Sequence, residues 1–382
     1  MPGRLVSFRC AFRIFDLIII FKLWSRYVFH QLKELAPSDF IARMFTLSDT
    51  AVFELLAVVP VSTIVQKKEN AMKKILSIDG GGIRGIIPAL VLAEIEKKTG
   101  RPAAMDFDLI AGTSTGGIIA LGLSRSSDAG APLYSAADLA GMYEKRREEI
   151  FPRSLLKDIA TLDGVMDERY SAEGLESILE EYFGEEPIGA GLVRTLLTCY
   201  DIQNREPLFI KSWRKEHHSV LMKHAARATS AAPTYFEPAL VPIGGAVKAL
   251  IDGGVFINSP AVSAYAEAKI LFPDESDFFL LSLGTGELIR PINYNEAKGW
   301  GKAGWAVPVM SCMFDGMSDA SNYQMEIFLG ERYVRLQITL SVASDDMDCV
   351  SRENIENLKG EASRLISRYE KEIDEVCHLL SS

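Results

Sequence analysis

The sequence has few cysteines, few histidines and no basic stripe. Its five cysteines (Cys10, Cys199, Cys312, Cys349 and Cys377) are scattered and contain no C-x-x-C pair. That argues against a disulfide framework and for reduced thiols in a cytosolic compartment. The five histidines include His217, His218 and His224 but no H-x-x-x-H carrying a glutamate, so no zinc or other metal site is expected. Lys and Arg number 41 against 51 Asp and Glu, a net charge of −10. A binder of long nucleic acid needs a basic surface to neutralise phosphates, and none is visible. Internal repeats, low-complexity tracts and Pro/Ser linkers are absent after Met72. What remains is ordinary globular composition, 48% hydrophobic and 24% charged over 382 residues, enough for one large α/β domain or two smaller ones.

Residues 1–71 differ from the rest. They carry nine Lys+Arg against six Asp+Glu (net +3), whereas the remainder carries 32 against 45 (net −13). Ala11 to Trp24 is strongly apolar but interrupted by Arg13, Asp16 and Lys22. Its longest uncharged run, Leu17 to Phe21, is far short of the roughly 20 residues that span a bilayer. No small-residue cleavage site follows an adequate apolar core, which speaks against a signal peptide. Three readings stay open: an interfacial amphipathic helix associating the protein with a membrane, a helical partner-binding arm, or a non-native extension ahead of a start at Met72.

From Met72 the pattern is that of alternating strands and helices. Ile75 to Ile78, Phe107 to Ala111, Ala249 to Ile251 and Phe278 to Leu283 read as short buried strands, each running into glycines. Leu192 to Tyr200 and Leu208 to Lys211 are further strand candidates. Helical spacing appears over Ile86 to Lys98, Gly116 to Ser124, Ser135 to Ile150, Ser171 to Phe183 (with Ser171 as N-cap), Val220 to Thr229 and Asn354 to Leu380. Such alternation predicts an α/β fold with a mostly parallel central sheet, whose ligands sit at the carboxyl ends of strands. A catalytic domain over 72–290 and a helical C-terminal portion over 291–382 packed on it is the simplest organisation.

Three motifs carry chemistry. Gly112-Thr113-Ser114-Thr115-Gly116 places a serine between two glycines, after a strand and before a helix. This is the nucleophile elbow: the turn is sharp enough to lift the Ser114 hydroxyl above the sheet, and a side chain at Gly112 or Gly116 would crowd it. Asp79-Gly80-Gly81-Gly82-Ile83-Arg84-Gly85 satisfies G-x-G-x-x-G through Gly80, Gly82 and Gly85, which also fits a dinucleotide fingerprint. That fingerprint wants an acidic residue closing the next strand, about 20 positions on. Asp106 and Asp108 instead precede or begin that strand, and the strand ends in the serine elbow. An oxyanion hole is the competing reading: consecutive backbone amides of the turn, with those of Gly81 and Gly82 holding the oxyanion formed when Ser114 attacks, and Arg84 adding positive charge or binding a lipid phosphate. Asp252-Gly253-Gly254 comes after another strand and offers Asp252 as the base that the serine needs. The histidines lie in a charged stretch or on a helix, none at a glycine turn, so a Ser–Asp dyad is favoured over a triad.

In this order, G-G-G-x-R-G, G-x-S-x-G and D-G-G resemble the patatin-like phospholipases. The segments Ala228-Thr229-Ser230-Ala231-Ala232-Pro233-Thr234-Tyr235-Phe236 and Leu281-Ser282-Leu283-Gly284-Thr285-Gly286 are similar to that family as well. The likeness runs from about Met72 to Gly286, and residues 1–71 have no counterpart in the family core. It implies a three-layer α/β/α fold and lipid acyl-ester hydrolysis by Ser114 and Asp252. The oxyanion turn is then Gly80, Gly81, Gly82, Arg84 and Gly85, Gly253 and Gly254 support the dyad, and no cofactor is needed. Membrane phospholipid is the implied substrate, reached by peripheral association from the cytoplasm. Trp305, Phe314-Asp315-Gly316-Met317-Ser318-Asp319, Tyr323-Gln324 and Ala343-Ser344-Asp345-Asp346-Met347-Asp348 look like bacterial members, some of them cyclic-nucleotide-activated antiphage effectors. That narrower likeness implies a small cyclic nucleotide activator and leaves a homo-oligomer open. A dinucleotide-dependent oxidoreductase and a non-catalytic lipid or nucleotide sensor are the rival readings.

Overall fold

The computed structural model describes residues 72–151, 170–287 and 291–381. The expectations for residues 1–71 lie outside the described residues. Strand β1 (Lys73–Ile78) passes through a 3₁₀ turn into helix α1 (Ile86–Thr99), and β2 (Leu109–Gly112) passes directly into α2 (Thr115–Ser124). Helices α3 (Ala136–Ile150) and α4 (Glu173–Phe183) come next, then β3 (Arg194–Asp201), β4 (Glu206–Lys211), α5 (Met222–Thr229), β5 (Ala239–Ile243) and β6 (Ala246–Asp252). The chain continues through α6 (Ala261–Leu271), β7 (Phe278–Leu283), α7 (Tyr294–Ala297), α8 (Lys302–Leu329), β8 (Tyr333–Leu336), α9 (Arg352–Arg368) and α10 (Glu370–Ser381).

Local chemistry accounts for the boundaries. Ser135 caps α3 by accepting from the Asp138 amide, while the Asp138 carboxylate takes the Ser135 amide, a reciprocal capping box. Gly100 ends α1 in the left-handed conformation that other residues avoid. Ser171, expected as the cap of α4, accepts the Glu173 amide on its hydroxyl at 3.3 Å, and Ala172 between them already has helical angles. The tail expected as one helix breaks at Tyr369 into α9 and α10.

The sheet runs β5-β6-β3-β2-β1-β7-β8, with β4 also on β3. Its centre, β3-β2-β1-β7-β8, is parallel. Strands β2 and β7 are buried along their whole length, the pattern of parallel strands covered on both faces. Helices α1 and α2 bury Ile87, Leu92, Ile95 and Ile119 in one core, and Ala261, Ala264 and Ala268 of α6 belong to a second that also holds Leu109 and Leu280. This is the expected α/β architecture, with two additions. The C-terminal portion supplies β8 to the sheet edge, so it is not purely helical. Residues 72–290 and 291–382 also fall in one compact unit, Asn70–Ser382.

The arrangement around β3 positions the site. Antiparallel β4 lines one side of β3 from Leu196 to Asp201. On the other side β2 runs parallel and ends with Gly112 opposite Leu197. Beyond it on that same side, β6 runs antiparallel and ends with Asp252 opposite Cys199. Strands β2 and β6 therefore meet head-on, two residues apart along β3, a spacing of roughly 7 Å. The elbow bearing Ser114 leaves the end of β2 and the Asp252 turn leaves the end of β6, so both are delivered into that gap.

Candidate active site

Ser114 is the N-cap of α2 and has φ 54° and ψ −122°, a region that non-glycine residues rarely adopt. The glycines of its turn have steric reasons. A Cβ on Gly112 would lie 2.2 Å from the Gly116 carbonyl oxygen, and one on Gly116 would lie 2.2 Å from that of Ile78. The turn is further held by polar ties. The Ser114 amide donates to Thr229 Oγ1 at 3.0 Å, and the Thr229 hydroxyl donates to the Thr198 carbonyl at 2.8 Å. The Thr113 hydroxyl donates to the Ile257 carbonyl and accepts from Thr198 Oγ1 at 2.8 Å. Thr229 was legible only as part of a family-like segment, and Thr198 carried no sequence signal.

Asp252 is 4% exposed and accepts the Gly254 amide at 2.7 Å. Burial pushes its carboxyl up to about 7, and the nearby Ser114 side chain and the Gly254 amide only partly oppose this. A Cβ on Gly253 would strike Thr198 Oγ1 at 2.1 Å, so the turn after Asp252 lies tight on β3. Among the described residues no histidine lines the cleft around Ser114. His217 is buried elsewhere, its Nδ1 accepting from the Lys211 amide at 3.1 Å, and burial lowers its pKa.

The glycine turn after β1 packs against the elbow: a Cβ on Gly80 would come within 3.3 Å of Ser114 Cβ. Its members differ in what they offer. The Gly80 amide is committed to the Asn258 carbonyl at 3.2 Å, and the Arg84 amide to Gly81. Gly85 permits close packing, since a Cβ there would lie 2.1 Å from Thr115 Oγ1. Among the described residues the Gly81 and Gly82 amides donate to no protein group, as expected at the start of a 3₁₀ helix. Of the expected residues Gly80, Gly81, Gly82, Arg84 and Gly85, the first amide and that of Arg84 are engaged, while those of Gly81 and Gly82 are free. Arg84 braces the turn: its Nε donates to the Gly81 carbonyl at 3.3 Å and its Nη1 to that of Gly286 at 3.0 Å. Burial lowers the Arg84 pKa, opposed by Asp345, Asp315 and Asp346. The Thr285 hydroxyl holds the Gly80 carbonyl at 2.8 Å. Arg335 of β8 pairs with buried Asp79 at 2.6 Å and donates to Ser282 Oγ at 2.9 Å. Nothing in Tyr333-Val334-Arg335-Leu336 marked that arginine beforehand.

Ser114 opens into a narrow cleft of about 40 Å³ lined by Gly82, Ile118, Ile150, Phe151, Leu175, Tyr235, Phe236 and Met347 among others. Its apolar wall suits a hydrocarbon chain, which enters as those side chains move apart. Among the described residues no group of acidic, cysteine and histidine side chains is placed to hold a metal ion.

A parallel-centred α/β sheet with a strained serine on a strand-to-helix turn defines the class of serine-elbow α/β proteins. Within it, this chain belongs to the patatin-like phospholipase family. The family model for patatin-like phospholipase matches residues 76–265. Patatin-like protein 2 of Arabidopsis thaliana is 30% identical over 340 residues, covering 77% of this chain and 83% of the relative. Patatin-like protein 2 of Oryza sativa subsp. indica is 29% identical over 347 residues, covering 79% and 86%. Patatin-06 of Solanum tuberosum is 28% identical, covering 88% of this chain and 96% of its own. Among solved structures, VipD from Legionella pneumophila aligns at a TM-score of 0.32 and 12% identity over 78% of this chain and 67% of that one, too slight a likeness to build on.

Proposed function

We propose that the protein is a serine acyl hydrolase of phospholipase A type, cleaving fatty-acyl esters of membrane phospholipids with Ser114 as nucleophile and Asp252 as base. The observation that carries this reading is the delivery of the strained Ser114 turn and the buried Asp252 turn into one gap beside β3, where burial raises the Asp252 carboxyl to about 7. A base poised near neutral pH combines a useful ionised fraction with a strong pull on the serine proton. In the first step Asp252 takes that proton as Ser114 Oγ attacks the ester carbonyl carbon. The Gly81 and Gly82 amides receive the oxyanion, at the end of a helix-opening turn where negative charge is favoured. Collapse expels the alcohol, which leaves with the proton from Asp252. In the second step Asp252 deprotonates water, which attacks the acyl-enzyme; as the Ser114 Oγ–acyl bond breaks, Asp252 returns the proton to Ser114 Oγ and the fatty acid is released. The apolar cleft beside Ser114 takes the acyl chain.

Among the described residues no helix is long and apolar enough to cross a membrane. The substrate is met at the bilayer surface, by peripheral association from the cytoplasmic side. The narrower likeness to bacterial effectors adds a cyclic-nucleotide activator and a part in antiphage defence, tested by adding a panel of cyclic di- and trinucleotides to the full chain. The central experiment is labelling with an alkyl fluorophosphonate and then peptide mass mapping. Modification at Ser114, with phospholipid turnover lost in Ser114→Ala, is the expected result. Wild-type turnover by Ser114→Ala, or tight NAD binding with Ser114 unlabelled, would sink the reading.

A further inference from the structure

The segment between β8 and α9 closes the cleft on the side facing the glycine turn, and its attachments are built for that task. The Met347 carbonyl accepts the Ile83 amide at 2.9 Å, and a Cβ on Gly82 would lie 2.3 Å from that carbonyl oxygen and 2.7 Å from Met347 Cβ. Met347 thus rests on Gly82, and both line the cleft into which Ser114 opens. Asp348, the next residue, accepts from the Tyr170 hydroxyl at 2.6 Å. Tyr170 packs edge-on against Phe151 of the cleft wall, with ring centroids 6.0 Å apart.

Two buried polar side chains of α9 hold this segment. Asn354, 4% exposed, accepts the Ser344 amide at 2.8 Å and donates to the Cys349 carbonyl at 2.8 Å. These bonds straddle Met347 and fix the width of the loop that presents it. Glu361, 1% exposed, accepts the amides of Ser341 at 2.6 Å and Val342 at 3.0 Å. A surface loop needs no buried carboxylate and carboxamide to satisfy its amides, because water does that. Protein groups fix the loop here and with it the place of Met347 in the cleft wall.

Resting on the acyl-hydrolase reading, the geometry points to Met347 as the residue that decides which acyl chains the cleft accepts, with Asn354 and Glu361 as the positioning residues that hold it against Gly82. Met347 is unbranched and flexible, so it closes the wall without a rigid stop. Truncation to alanine opens room for one or two further methylenes. One methylene in an apolar pocket discriminates by about tenfold or more.

The test is the second-order rate of Ser114 labelling by alkyl fluorophosphonates of four, eight, twelve and sixteen carbons, with the labelled peptide confirmed by mass. Met347→Ala raises the ratio of twelve-carbon to four-carbon rates about tenfold, and Met347→Trp lowers it by a similar factor. Asn354→Ala flattens the profile and slows every probe. Asn354→Asp keeps the oxygen that takes the Ser344 amide and restores most of the profile, which a merely structural role would not require. A Met347→Ala profile superimposable on the wild type, or an Asn354→Ala variant with lower melting temperature but unchanged profile and rates, overturns the inference alone. Absence of labelling in the wild-type protein at every chain length overturns the acyl-hydrolase reading and this inference with it.

Discussion

Replacing Asp252 with asparagine should destroy activity and stabilise the fold, and the second effect should depend on pH. In the folded protein this carboxyl is raised from its ordinary value near 3.8 to about 7, chiefly because burial disfavours the charged form. In the unfolded chain it returns to the ordinary value. Between the two values the folded state binds a proton that the unfolded state lacks, so stability is greatest below the lower value and falls as pH rises through about 7. A shift of about three units corresponds to roughly 4 kcal/mol in full, of which about 3 kcal/mol falls between pH 5 and pH 9. Asparagine cannot ionise, and its amide oxygen can still accept from the Gly254 amide. Urea unfolding of both proteins at pH 5, 7 and 9 should therefore show the variant gaining on the wild type by about 3 kcal/mol across that range. Hydrolysis of a p-nitrophenyl ester should fall by at least the 10²- to 10⁴-fold that a general base contributes. Equal stability differences at pH 5 and pH 9 would refute the buried-carboxylate reasoning. Turnover within tenfold of the wild type would refute Asp252 as base.

The wild-type rate has its own pH signature: kcat/KM should climb about tenfold per unit below pH 7 and level off above it, and a flat profile from pH 5 to 8 counts against Asp252. Ser114→Gly removes the strain of φ 54° and should raise stability by about 1–2 kcal/mol while abolishing labelling, read by urea midpoint. Thr229→Val leaves the Ser114 amide and the Thr198 carbonyl unpaired. It should cost about 1–3 kcal/mol and lower kcat more than it raises KM; an unchanged kcat would show that the elbow needs no such tie. Arg335→Met strands buried Asp79 at the base of the glycine turn and should cost about 3–5 kcal/mol, measured the same way.

The central strands, the elbow and both glycine turns were legible because their signals are local. A serine on a sharp turn needs Gly112 and Gly116 within five residues, and an apolar run that ends in glycine announces a buried strand wherever it lies. Strand β5 (Ala239–Ile243) escaped because it is an edge strand holding Pro242, buried only on alternate residues. Strand β8 is four residues long and half-buried in its middle, too brief to show a period. The single helix expected over Asn354 to Leu380 failed at Tyr369 because an apolar stripe continues across a break that it does not encode.

Asp252 shows the boundary most clearly. From its turn alone it was a plausible base at the carboxyl end of a strand, in a sheet taken as mostly parallel. The structure instead brings β6 in antiparallel, head-on to β2 along one side of β3, so that Asp252 arrives two residues from Gly112's register rather than beside it. The same distinction separates the free amides of Gly81 and Gly82 from that of Gly80, and reveals Thr229, Arg335 and Met347 as neighbours of the site. By itself the sequence determined which turns place Ser114, Asp252 and the glycine amides at strand ends, since those depend on steric limits within a few residues. Only the tertiary structure decided which of them meet, which amides stay free and how far burial raises the Asp252 carboxyl, because those depend on partners tens to hundreds of residues away.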